Sequence, residues 1–371
     1  MTKKKKLLIF LALIAIIVLA STLFAHGDDF NEIKVRAEVI SVEDSGAGES
    51  VYFESIENVS VKVTESGPYK GQEYTVENAK TGNPGMDLNV KPGDRIILLV
   101  HLSNGQVTDT YIEDHYRMPM IYLLGGIFVL LILVIGRMKG LRSLITLVIS
   151  IGLTVLVLVP QAIEGRNPIL LSIIISVVAI ITTFIIVGGL NKKSMVAILG
   201  TAGGIILGGL LAAFFSSYGN LSGMSLQESQ MLMYAPVNVV YDFRGLLLAS
   251  IIIGSLGAIM DVGMSIASSM HEVKERAPEI TKGELLKAGL NIGQDIMGTM
   301  VNTLILAYAG ASLPLLMIFK VYEMPLGTLL NMDLMATEIV RALAGSIGLI
   351  ICIPLTAFFA VMLYDKKDET V

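Results

Sequence analysis

The 371-residue chain contains one cysteine, four histidines and few charges, only 16% of its residues being Asp, Glu, Lys or Arg. A soluble domain carries about a quarter. The single cysteine, Cys352, lies inside an apolar run, so no intramolecular disulfide can form. Cysteine and histidine show no metal-ligand spacing, so no metal, redox chemistry or other cofactor is expected. The phosphate-cradling pattern G-x-x-x-x-G-K-[ST] is missing too, which argues against ATP-driven work.

What the chain has instead is apolar length: 53% of its residues are hydrophobic and its mean hydropathy is +0.71. About 20 such residues in a helix cross a bilayer core of about 30 Å. Eight windows qualify: Leu7–Phe24, Met120–Ile135, Leu144–Val159, Ile169–Val187, Met195–Phe215, Leu246–Met264, Ile296–Phe319 and Ile339–Leu363. The expected fold is therefore an α-helical multi-pass membrane protein of about eight transmembrane helices. The first window follows "KKKK", and neither Ala20 nor Ala25 offers a good A-x-A cleavage site, so residues 1–25 read as an uncleaved anchor.

Starting from a cytoplasmic "KKKK", alternation places fifteen Lys and Arg on that side, against four in the opposite short loops. Arg166, Arg244, Lys320 and Arg341 are those four. The positive-inside rule then puts both termini in the cytoplasm. The expected organisation is an anchor over 1–25, an extracytoplasmic β domain over 26–118, a seven-helix membrane domain over 119–364 and a tail over 365–371.

Residues 26–118 alternate in "EIKVRAEVISVE", "VSVKVTES", "QEYTVEN", "DRIILLVHLS" and "QVTDTYIED", separated by turns such as "SGPYKG" and "TGNPG". Five strands in so short a stretch suit a small OB-like barrel. This region carries 17 acidic against eight basic residues, together with His26, His101 and His115. An acidic solvated surface is the expectation, and nucleic-acid binding is not.

Two kinds of helix face stand out beyond it. Gly200, Gly204, Gly208 and Ala212 recur every four residues, which lets another helix approach closely. Asp261, Ser265, Ser268 and Glu272 share one face of one helix. Asn291, Asp295, Thr299 and Asn302, with Thr303 beside them, share one face of the next. An acid within an apolar helix is expensive unless it serves a purpose, so Asp261 and Asp295, expected to face each other across the contact of the two helices, are the candidate proton- or ion-coupling groups, the alternative being that both only mark the cytoplasmic interface. The connector between the helices breaks at Pro278 and offers a capping box at Thr281 and Glu284, read as opening a short amphipathic surface helix.

The segments "GTAGGIILGGLLA", "MDVGMSIASSMHEV" and "GQDIMGTMVNTLILAYAGASLPLL" resemble the hallmark segments of the YibE/F family of bacterial membrane proteins. The resemblance implies a multi-pass membrane protein and no particular activity. More remotely, Ala288–Ala307, with Ile292, Asp295, Thr299 and Asn302, is similar to a helix of SecD and related RND permeases. That likeness implies a duplicated permease of which this chain is one half, a second copy or a shorter YibE/F relative supplying the other.

Two functions follow as expectations. One is a secondary transporter or export accessory driven by a proton or cation gradient. The other is a non-transporting scaffold whose β domain binds an envelope partner. Neither acid lies in G-x-G-D, so an intramembrane protease is not expected, nor is any other enzyme. Membrane lipid is the expected surrounding.

Overall fold

The computed structural model describes residues 32–46, 53–103, 106–235 and 240–364. The expected anchor over 1–25 and tail over 365–371 lie outside the described residues.

Five strands come first: β1 Glu32–Asp44, β2 Ser55–Val63, β3 Glu73–Lys80, β4 Arg95–Ser103 and β5 Gln106–His115. Their alternation drives the fold. In β1, Val35, Ala37 and Val39 are buried while Arg36, Glu38 and Ile40 are exposed, the period of two that one-sided burial requires. The strands pair antiparallel in the order β3-β2-β1-β4-β5, and β3 approaches β5, so the sheet curls into a near-barrel. A bulge between Val39 and Ser41 sharpens the curl. Inside, Lys80 is 7% exposed, and its ammonium donates to the carbonyl of Leu88 (2.7 Å) and to Asn89 Oδ1 (2.7 Å). Those bonds tie the loop after β3 down onto the sheet.

The helices are α1 Met118–Leu153, a π-helical turn Thr154–Leu158, α2 Val159–Ile163, α3 Pro168–Gly188 and α4 Lys192–Tyr218. They continue with α5 Gln227–Met233, α6 Phe243–Arg276, α7 Lys282–Ala311, α8 Leu313–Val321, α9 Leu326–Asn331 and α10 Asp333–Tyr364. The chain divides into two compact units between Val134 and Ile135, within α1.

Among the described residues, five helices are long and apolar enough to cross a membrane, or six if the pair α7–α8 counts as one bent span. These spans do not by themselves make the expected eight: the first window falls outside the described residues, and the second and third lie in one stretch, Met118–Ile163. Within the expected break "RMKGLR" two helices meet at Arg137, whose backbone is not helical (φ 47°, ψ −127°), with no loop between them. The window Ile296–Phe319 is instead cut in two: α7 ends at Ala311, and α8, opened by Pro314, leaves at 60°.

The connector after α6 also differs from expectation. Thr281 and Glu284 do form the capping box, Thr281 N donating to Glu284 Oε2 at 3.0 Å. No proline follows until Pro314, so the helix it opens runs on as α7 rather than stopping as a separate surface helix. Only residues 277–281 separate α6 from α7.

The apolar core of the helical unit joins α3, α4, α6, α7 and α10 through residues such as Ile180, Ile205, Ile259, Leu285 and Leu349. Gly200, Gly204 and Gly208 lie against α10. A Cβ added at Gly204 would stand 2.8 Å from both Cys352 Cβ and the carbonyl oxygen of Gly348; one at Gly208 would stand 3.0 Å from Gly348 Cα. At Gly200 it would stand 2.8 Å from Thr356 Cα. Ala344, Gly348, Cys352 and Thr356 recur every four residues on α10, so two smooth faces meet backbone to backbone.

Candidate functional site

Helices α6 and α7 are consecutive and antiparallel, and the contacts between them set the register. An added Cβ at Gly289 would meet Met270, and one at Gly293 would meet Ile266. Those pairs put Asp261 about level with Thr299 and Asp295 about level with Ser265. The two acids are therefore offset by about one turn, roughly 6 Å along the axis. Each lies about 20 Å from the helix ends joined by residues 277–281, Asp261 about 15 Å beyond the charged segment that begins at His271 and Asp295 about 12 Å beyond Lys287.

The inner face of α6 carries the buried Ile252, Ile259, Val262, Ile266 and Met270. Asp261 and Ser265 are exposed, as are Ser250, Gly254 and Gly257, all on the opposite face. Ser268 is half-buried, and Glu272 is held by Arg276 at 2.7 Å. On α7 the buried residues are Leu285, Gly289, Gly293 and Leu304, whereas Asn291, Asp295, Thr299, Asn302 and Thr303 are exposed. Both polar faces thus turn away from the core of their own chain.

Hydroxyls on those faces are satisfied locally. Thr299 Oγ1 donates to the carbonyl of Ile296 (3.0 Å) and Thr303 Oγ1 to that of Thr299 (2.9 Å). Asp261, Asp295, Asn291 and Asn302 make no hydrogen bond among the described residues. The structure does not bring Asp261 and Asp295 together within one chain; each is left exposed on a flank of its own helix. No group of three metal-ligating side chains occurs among the described residues.

Residues 124–366 match the model of the family described as YibE/F-like protein. The chain belongs to that family. The family and the apolar helices mark an integral membrane protein. The match covers the helical unit, including Asp261, Asp295 and the glycine face, and leaves out the near-barrel. No curated protein matches the chain, and no solved structure does.

One feature of this YibE/F chain escaped the sequence reading. Arg341, counted there among outer-loop cations, sits eight residues inside α10 and pairs with Glu338 at 2.9 Å. Their side chains are only 17% and 12% exposed. The i, i+3 spacing of Glu338 and Arg341 was the available signal. It went unread because only the fold shows how little of the pair is exposed.

Proposed function

We propose that the protein is a secondary transporter or export accessory driven by a proton or cation gradient, and not an enzyme. Asp261 and Asp295 are its coupling carboxylates. The observation that supports this reading is the pair of polar faces on α6 and α7, each with an unpartnered acid about 20 Å from the helix ends. In lipid such groups need water, an ion or another chain. A second copy, or a shorter YibE/F relative, is the chain proposed to cover these exposed stripes. The remote likeness to SecD and RND permeases is consistent with a site completed by a second half. In this reading the near-barrel, OB-like in its five strands, faces outward and both termini are cytoplasmic, as the charge asymmetry requires.

The test is flux through proteoliposomes with and without a pH gradient. Wild type should respond to the gradient and Asp261→Asn should not. Equal gradient dependence in both would reject the coupling role.

A further inference from the structure

The end of the helical unit that holds Asp333 carries a half-open cavity of about 280 Å³ between α6, α7, α10 and the loop before α5. The loop is fastened in place: the Ser222 hydroxyl donates to Asp333 Oδ2 at 2.6 Å and Ser225 to Thr337 Oγ1 at 3.4 Å. Gly223 (φ +75°) makes the turn, and a Cβ there would lie 2.3 Å from the carbonyl oxygen of Phe243. Only glycine fits. Arg341 lies about 12 Å along α10 from its start and Gly254 about 17 Å along α6, so the cavity reaches into the apolar part of the bundle.

Its polar groups are unevenly matched. Arg341 Nη1 donates to Glu338 Oε1 (2.9 Å), and Glu338 Oε2 accepts the Ser312 hydroxyl (3.1 Å). Arg341 Nε and the Tyr308 hydroxyl are buried and have no partner. Each orphan costs about 1–3 kcal/mol. Both line the same cavity, and both can donate. The serine and threonine hydroxyls that also line it do not reach either donor. At Gly254 a Cβ would stand 2.9 Å from the Tyr308 oxygen, so the missing side chain keeps that hydroxyl approachable.

We propose that this cavity binds a small monoanionic carboxylate, gripped by the Nε side of Arg341 and by the hydroxyl of Tyr308. The planar guanidinium fork matches a carboxylate. Glu338 already balances Arg341, so one extra negative charge is tolerated here far better than the two of a phosphate. The proposal does not depend on Asp261 or Asp295 acting as coupling groups.

The test uses the full-length protein in nanodiscs, titrated at constant pH and ionic strength with butyrate, its neutral isostere butyramide, and inorganic phosphate. Calorimetry and thermal unfolding are the readouts. Butyrate should bind saturably and raise Tm, and butyramide and phosphate should not. Tyr308→Phe should weaken butyrate by about 2- to 10-fold, the worth of one hydrogen bond. Arg341→Gln alone strands Glu338, so the decisive variant is Glu338→Gln with Arg341→Gln, which should fold and lose the butyrate effect. Asp261→Asn should keep it, separating this site from the coupling reading. Dodecanoate distinguishes the sources: stabilisation by it alone assigns the carboxylate to a membrane-borne acid, and by butyrate as well to an aqueous solute. No saturable effect of either acid, an equal effect of butyramide, a phosphate effect alone, or an effect surviving the double variant would overturn the proposal.

Discussion

Single residues here are legible by chemistry and obscure by surroundings. Asp261 and Asp295 stand out in the sequence because carboxylates are rare in apolar helices; that both point away from their own core needs the packing. Asp261→Asn and Asp295→Asn should insert and fold, since neither acid has a partner to lose, yet lose most gradient-driven flux. Glu279→Gln, in the short turn between α6 and α7, should leave flux unchanged. Flux assays on the three variants check this. A second residue-scale prediction concerns acid. The bond from Arg117 to Asp114 (2.6 Å), with the backbone N–H of His115, holds the Asp114 carboxyl below the usual carboxylate range. A depressed folded pKa contributes stability above the unfolded value of about 3.9, lost as pH falls through the folded one. Protection of β4 and β5 amides from exchange should therefore fall below about pH 4, and Asp114→Asn should flatten that dependence. An unchanged acid profile in the variant would assign the loss elsewhere.

At the scale of elements, local rules reached far. All five strands lie where alternation placed them, because a half-buried strand has no other stable pattern. The helical boundaries were harder. Hydropathy marks where a chain is apolar, not where its backbone turns, so the break at Arg137 falls where the windows left a gap while the one at Ser312 falls inside a window. The contact between α4 and α10 yields the sharpest element-level expectation. Gly204→Leu or Gly208→Leu must push two backbones apart, costing about 1–3 kcal/mol or more, whereas Leu210→Ala, exposed on the other side, should cost far less. Thermal unfolding in detergent measures the difference. Equal Tm values would refute close packing as the reason for glycine.

For the whole molecule, orientation and partnership are the open quantities. The charge asymmetry predicts Lys192 and Lys366 on the cytoplasmic side and Asn220 and Glu323 outside. Cysteines at 192 and 220, labelled in intact cells, must then differ in accessibility; labelling from one side would end the assignment. The exposed stripes predict a second copy. Gly257 is exposed on the Asp261 face with open space around it, so Gly257→Cys in a Cys352→Ser background should cross-link to a dimer in membranes. A cysteine at Leu210, on lipid-facing α4, serves as the control that should not.

The amino-acid order alone determined the membrane class, the strand pattern, the small-residue helix face and the acids worth testing. Each follows from local periodicity or from the cost of charge in hydrocarbon, and neither needs coordinates. Only the tertiary structure decided which faces are covered. Burial is a property of neighbours distant in sequence. Glu338 and Arg341 become a largely buried ion pair because α7 and the Ser222–Ser225 loop close over α10, while Asp261 is left exposed among the described residues.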